Sequence, residues 1–344
     1  MKILILKPSS MGDVIHALPV LRLLKRHFPK GEIYWWLDAA LAPLLEKDPD
    51  LTGIISFHRK RWAAPRRWPE IGASLRLMRQ ERFDWAIDLQ GLARSSLFAW
   101  LANAGLTVGL DNLREGSREG AHALYDLTPP RAPGNLHAVD RYLAVLPLLG
   151  VPVHREFEWL PRRPEIAAQV EQKWHLTGTR LVALLPGGRW ENKRWPVQYW
   201  IQLVKLICQN PEAKFVILGS KDEGALDETI AAAAPERCLN LAGHTSLAEM
   251  IECLRLSRLV ITNDTGPMHA AAALGRPVVA LFGPTNPLST GPYGQPGNVL
   301  QNKELPCVPC MSQRCSYREP LACLRSINPQ SVFQRARQAL EAGR

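Results

Sequence analysis

From Leu259 to Thr285 the sequence reads as a buried strand, a tight turn, a short helix and a second buried strand closed by a Gly-Pro turn. The residues are Leu259-Val260-Ile261-Thr262-Asn263-Asp264-Thr265-Gly266-Pro267-Met268-His269, four alanines, Leu274-Gly275-Arg276, and Pro277-Val278-Val279-Ala280-Leu281-Phe282-Gly283-Pro284-Thr285. Asp264 or Thr265 suits the helix cap, Pro267 suits the first turn, where a missing N–H costs nothing, and Gly275 suits the stop. Two apolar strands flanking one helix belong to a parallel sheet. The N–H groups of Thr265, Gly266, Met268 and His269 then point out of its carboxyl edge, where the helix dipole favours an anion such as a pyrophosphate. A nucleotide-linked donor is the ligand class that this stretch suggests.

The same alternation runs through the whole chain. Strands are predicted at 2–6, 32–37, 53–57, 85–89 and 107–110, with an amphipathic helix over 14–27 between the first two. A Pro- and Arg-rich stretch at 160–164 interrupts the pattern, which restarts with strands at 181–185, 215–218, 238–241, 259–262 and 277–282. The length of 344 residues suits two such α/β domains. The expected fold is two doubly wound Rossmann-like halves facing across a cleft, 1–160 and 161–327. A last helix within 328–344 is expected to pack back on the first half. In such sheets ligands sit outside the carboxyl ends of the strands.

The formal net charge of +10 points to a polyanionic partner: nucleic acid, a phosphorylated glycolipid or an anionic membrane leaflet. No helix-turn-helix, RNP or zinc-finger pattern supports nucleic acid. No apolar run reaches the length of a membrane span, and Lys2 to Lys7 is too short for a signal peptide, so a cytoplasmic protein is expected. Of seven cysteines, Cys208, Cys238 and Cys253 are scattered and read as inert thiols. Cys307, Cys310, Cys315 and Cys323 form a C-x2-C-x4-C-x7-C run. In a cytosolic chain that run reads as one structural zinc or iron site or as reduced thiols in a surface loop.

Three loops carry chemistry. After the first strand, Lys7-Pro8-Ser9-Ser10-Met11-Gly12-Asp13 holds one glycine, too few for a dinucleotide fingerprint. Asp13 reads either as a helix N-cap or as a general base, and the same oxygens cannot easily serve both. Ser9 and Ser10 suit donation to phosphate or carboxylate, or the turn itself. After the sixth strand, Pro186-Gly187-Gly188 precedes Lys193-Arg194-Trp195-Pro196, placing a cation where backbone can approach a phosphate. Glu223, in Gly219-Ser220-Lys221-Asp222-Glu223, suits ribose hydroxyls or a helix cap. A basic run interleaved with tryptophan, His58-Arg59-Lys60-Arg61-Trp62, follows the third strand, and Arg118 lies farther on. These cations read as a basin for an anionic substrate or as a solvated face.

Together these segments resemble the family 9 glycosyltransferases, the ADP-heptose:lipopolysaccharide heptosyltransferases, over nearly the whole chain. Lys7 to His16, Asp88-Leu89-Gln90-Gly91-Leu92 and the Arg118 segment look like heptosyltransferase I. Pro186 to Pro196 and Asn240-Leu241-Ala242-Gly243 look like heptosyltransferase II. The Asp264 to His269 stretch, with Phe282-Gly283-Pro284-Thr285, is common to both. The resemblance implies a GT-B fold and inverting transfer of heptose from ADP-heptose to Kdo of the lipid A-linked inner core, at the cytoplasmic face of the inner membrane. Transfer onto a heptose, and a sugar-nucleotide or glycolipid binding protein without turnover, are the alternatives. By resemblance Asp13 is the catalytic base. Gly187, Gly188, Lys193, Glu223, Asp264, Thr265, Gly266 and His269 bind the donor. Arg61 and Arg118 fall where heptosyltransferase I has acceptor-contacting arginines, and Ser9, Ser10, Arg59 and Lys60, from their places in the chain, are expected on the same acceptor side. Gly187 and Gly188 replace two threonines that help hold phosphate in heptosyltransferase I. No Asp-x-Asp motif lies in the donor loops, so no catalytic cofactor is expected.

Overall fold

In the computed structural model, residues 1–58, 61–62, 64–110, 120–130, 136–176 and 180–342 are described. The chain divides into two compact units, Met1–Pro161 and Arg162–Arg344. The first unit runs β1 (Lys2–Leu6), α1 (Met11–His27), β2 (Glu32–Asp38), α2 (Ala42–Leu45), β3 (Gly53–Phe57), α3 (Trp68–Glu81), β4 (Trp85–Asp88), α4 (Ala93–Leu101), β5 (Leu106–Gly109) and α5 (Ala138–Leu143). Its parallel sheet has the order β3-β2-β1-β4-β5. The order reverses between β1 and β4, so the crevice of this unit lies where those two strands end.

The second unit runs α6 (Pro164–Trp174), β6 (Arg180–Leu185), α7 (Val197–Ile207), β7 (Ala213–Ile217), α8 (Gly224–Ala231), β8 (Cys238–Asn240), α9 (Leu247–Leu256), β9 (Leu259–Asn263) and α10 (Gly266–Ala273). It continues with β10 (Val278–Phe282), α11 (Pro287–Thr290), β11 (Val299–Gln301), α12 (Ala322–Arg325) and α13 (Pro329–Ala342). The sheet order is β11-β10-β9-β6-β7-β8, again parallel, with its reversal between β6 and β9.

The strands are apolar on both faces because helices cover both. Every residue of β9 and β10 is buried. In the second unit Trp200, Leu203 and Val204 of α7 pack with Phe215 of β7 and Leu281 of β10. Side chains of this size each stabilise the fold by about 1.5–3 kcal/mol when fully buried. The last helix, expected on the first half, closes this core instead: Val332, Ala336 and Ala339 of α13 pack in the same cluster. The apolar stripe of α13 matches the one α7 presents, and that satisfies it within its own unit.

In the first unit α1 is buried along most of its length, from Val14 to Leu24, which its amphipathic pattern understated. Arg22 on this helix donates to Asp48 at 2.6 Å, to Asp50 at 2.7 Å and to the carbonyl of Trp159 at 3.0 Å. A buried charge needs such partners. Here they tie the end of the unit back onto α1.

Candidate active site

Each unit places one polar constellation at its sheet reversal. In the first, β1 ends at Leu6 and α1 begins at Met11, two residues before Asp13. Ser10, not Asp13, is the N-cap residue, and Asp13 closes the capping box from the third helical position. Asp13 Oδ2 accepts from the Ser10 N–H at 3.0 Å and from the Ser10 hydroxyl at 2.6 Å. Asp13 Oδ1 accepts from the Tyr142 hydroxyl at 3.3 Å. The carboxylate therefore divides its work: one oxygen belongs to the cap, the other faces a side chain of α5. Ser10, expected against the acceptor, has its hydroxyl on Asp13, because a helix start this close to a strand end needs its cap. Ser9 sits half-buried in the same turn.

Beside this turn, Lys7 is 3% exposed and donates to the carbonyl of Leu89 at 3.0 Å. Asp88, at the end of β4, is fully buried. Its Oδ1 accepts from the N–H groups of Gln90 and Gly91, and its Oδ2 accepts from the Tyr125 hydroxyl at 2.6 Å. Burial raises the Asp88 carboxyl above its ordinary range, against the pull of these hydrogen bonds. Tyr125 reaches Asp88 by lying over Gly109, where a Cβ would come within 2.2 Å of the ring. Tyr125 and Tyr142 were not legible as site residues, since neither adjoins the motif it serves.

In the basic segment after β3, Arg61 has an acidic neighbour. Arg61 pairs with Glu70 at 2.7 Å, and Arg67 pairs with the same carboxylate at 3.0 Å. Trp62 is buried against Phe57 and Phe98. Arg61 thus remains half-exposed but has an anionic partner of its own. Arg59, Lys60 and Arg118 lie outside the described residues.

In the second unit, β6 ends at Leu185 and β9 at Asn263, side by side at the reversal. The Asn263 amide donates to the carbonyls of Pro186 and Gly187 at 2.6 and 3.1 Å, welding the two strand ends together. Lys193 donates to Asp264 Oδ2 at 2.6 Å, and the Thr285 hydroxyl donates to the same oxygen at 2.6 Å. Both charged side chains are largely buried, at 16% and 7% exposure. The Lys193 ammonium also lies 4.5 Å from the centre of the Trp190 ring. Asp264 is therefore not the helix cap. Thr265 holds that position without a side-chain cap bond, and Gly266 and Pro267 form the first turn of α10. His269 is buried one turn in. An α-helix leaves its first N–H groups without intrahelical partners, and these lie next to Lys193's partner Asp264.

Glu223 acts as a clamp in this structure. Its Oε1 accepts from the Gly188 N–H at 2.7 Å, and its Oε2 accepts from the N–H and hydroxyl of Ser220 at 2.9 and 3.0 Å. A Cβ on Gly187 would fall 2.2 Å from Glu223 Oε1. This explains glycine at a position where a threonine would collide with the carboxylate. The Gly188 N–H, expected to serve phosphate, is here engaged by Glu223.

One residue that sequence reasoning missed lies under this clamp. Asp227 on α8 is fully buried, with neither carboxylate oxygen hydrogen-bonded. Burial first, then the neighbouring charge of Glu223, raises it to about 7, opposed by Arg194. The folded state thus keeps a proton that the unfolded chain releases near pH 4. Stability therefore falls as pH rises from about 4 to 7, by up to about 4 kcal/mol at 1.36 kcal/mol per unit. Asp227→Asn removes this titration. Its melting temperature is expected to exceed wild type by more at pH 8 than at pH 5, and an equal difference at both would refute the assignment.

Among the described residues no group of three or more His, Cys, Asp or Glu side chains is arranged to hold a metal ion. Cys307, Cys310, Cys315 and Cys323 are free thiols, with Cys310 and Cys315 exposed. Two hydrogen bonds hold the loop. Met311 N–H donates to the Pro284 carbonyl at 2.8 Å, and the Asn192 amide donates to the Ser312 carbonyl at 2.8 Å. The loop is thereby tied to the turns that carry Thr285 and Lys193.

Comparison with known proteins matches the family model described as glycosyltransferase family 9 (heptosyltransferase) over residues 71–320. The chain is 31% identical to lipopolysaccharide heptosyltransferase 1 of Pseudomonas aeruginosa, covering 96% of each chain. It is 32% identical to lipopolysaccharide heptosyltransferase 2 of Salmonella typhimurium, covering 88% of each. The solved structure of E. coli heptosyltransferase WaaC with ADP-2-deoxy-2-fluoro heptose superposes with a TM-score of 0.77 at 24% identity, covering 98% of this chain and 99% of that one. With its two doubly wound parallel sheets, the chain has the GT-B fold and belongs to glycosyltransferase family 9, the heptosyltransferases.

Proposed function

We propose that this enzyme transfers a heptosyl group from ADP-heptose to the inner core of lipopolysaccharide with inversion at the anomeric carbon. The observation that carries the reading is the pair of constellations at the two sheet reversals: a carboxylate with one oxygen outside its cap in the first unit, and a cation with a helix start in the second. In the reaction an acceptor hydroxyl attacks the anomeric carbon, its proton passes to Asp13 Oδ1, and the bond to ADP breaks. Negative charge then grows on the leaving phosphate, where Lys193 and the first N–H groups of α10 receive it. Gly187, Gly188 and Glu223 bound the nucleoside side, with Glu223 accepting from ribose hydroxyls through lone pairs left by its clamp. Thr265, Gly266 and His269 form the phosphate-facing turn.

The acceptor we assign is Kdo, whose carboxylate suits a cationic loop. The Lys7 to His16 segment and Arg61 support this, with Arg59, Lys60 and Arg118 as further cations. Addition to a heptose is the second reading, and the Pro186 to Pro196 segment favours it. Purified enzyme with ADP-heptose and either Kdo2-lipid A or its heptosylated product separates the two by product mass. No mass gain with either acceptor would leave only a binding protein. Arg61→Ala is expected to raise KM for the acceptor in a salt-dependent way while leaving KM for ADP-heptose unchanged. Equal rises for both substrates would remove Arg61 from the acceptor side.

The net charge of +10 supports peripheral binding at the anionic cytoplasmic face of the inner membrane. No helix among the described residues is long and apolar enough to cross a membrane. For the cysteine loop we keep one structural zinc or iron ion as a proposal. Its support is the sequence itself, four cysteines within the seventeen residues from Cys307 to Cys323, with Pro306 and Pro309 stiffening the first pair. Elemental analysis of tag-free protein checks it, and substoichiometric metal with four titratable thiols would exclude it.

A further inference from the structure

Asp13 Oδ2 is held by its cap. The last torsion of an aspartate side chain is soft, so the direction of Oδ1 depends on the donors that reach it. Tyr142 is one such donor. Its ring is 5% exposed, its hydroxyl donates to Asp13 Oδ1 at 3.3 Å, and the buried ammonium of Lys7 lies 4.7 Å from the ring centre. Burial, and then the charge of Asp13, push the phenol well above its ordinary range, so it remains a neutral donor. Lys7 is in turn fixed by the Leu89 carbonyl at the end of β4, and burial lowers its amine from the ordinary lysine range, opposed by the charges of Asp13 and Asp88. A strand end, a buried cation and an aromatic ring thus form a stack with the carboxylate at its tip.

We propose that Tyr142, seated on Lys7, is a positioning residue that orients Asp13 Oδ1 to take the acceptor's proton. The proposal rests on the reading of Asp13 as general base. The 3.3 Å bond is long enough to yield. Oδ1 accepts the arriving hydroxyl beside the phenol, the proton moves to Oδ1, and the phenol then turns from donor to acceptor. The groups facing this site from its surroundings are Lys7 and Asp88 at the strand ends, Arg141 beside Tyr142, and His16 of α1 against His137 at the start of α5. None of them changes in Tyr142→Phe, so any difference between the two enzymes reports the phenol.

The test is Tyr142→Phe, which preserves the buried ring, in full-length enzyme with ADP-heptose and the acceptor that shows product. Turnover is expected to fall about tenfold, the scale of one hydrogen bond to a charged group. Both KM values are expected to stay within about twofold. The acid limb of the kcat profile is expected to move up by about one pH unit, because the carboxylate loses a donor. Adding Tyr142→Phe to Asp13→Asn is expected to cost nothing further. Wild-type turnover and an unmoved limb in Tyr142→Phe, or an additional loss in the double variant, would overturn the assignment. If Asp13→Asn itself keeps turnover, the base reading fails whatever Tyr142→Phe does. If Asp13→Asn is inactive while Tyr142→Phe is indifferent, only the tyrosine's role fails.

Discussion

Asp13→Asn is expected to lower turnover by about 10²- to 10⁴-fold, the contribution of a positioned general base. Asparagine keeps the shape of the side chain, and its amide oxygen still accepts from the Ser10 N–H, so α1 keeps its cap in the geometry described for Asp13 Oδ2. What disappears is an oxygen that can hold a proton. ADP affinity measured by calorimetry is expected to stay near wild type, because Lys193, Asp264 and α10 belong to the second unit. Near-normal turnover would leave Asp13 with only its part in the capping box.

The second large effect is expected from Lys193→Ala, and it has two parts. Removing the ammonium leaves Asp264, 7% exposed, with the Thr285 hydroxyl and no cation. Stranding a buried carboxylate in this way costs about 3 kcal/mol, so the melting temperature should drop. The phosphates of ADP-heptose also lose a charge-assisted partner, which raises donor KM by about 10- to 100-fold. Lys193→Ala/Asp264→Asn separates the parts. The neutral amide no longer strands a charge, so stability should largely return while donor KM stays high. If KM recovered together with stability, Lys193 would be serving the fold and not the donor.

Much of this arrangement was legible because it is local. The apolar run at Leu259 to Thr262, Pro267 in the first turn and Gly275 past the end mark β9 and α10 within neighbouring residues. The partners that decide what a polar side chain does are not local. Asp264 and Thr265 both read as candidate caps, but Lys193 and Thr285, 71 and 21 residues from Asp264, claim its carboxylate and leave the cap position to Thr265. Tyr142 meets Asp13 across 129 residues. Arg61 read as a ligand for an anion, and its pairing with Glu70 on α3 was not part of that reading. β11 escaped notice because Val299–Gln301 has three half-buried residues and no alternation to detect. Asp227 sits in a helix whose apolar pattern conceals that its carboxylate is buried under Glu223.

The division after Pro161 leaves each constellation with its supports in one unit: Asp13 with Ser10 and Tyr142, Asp264 with Lys193 and Thr285. Genetic exchange with a breakpoint near that residue would hand over either half with its working groups already assembled. Each constellation can therefore be inherited separately, with its supports intact.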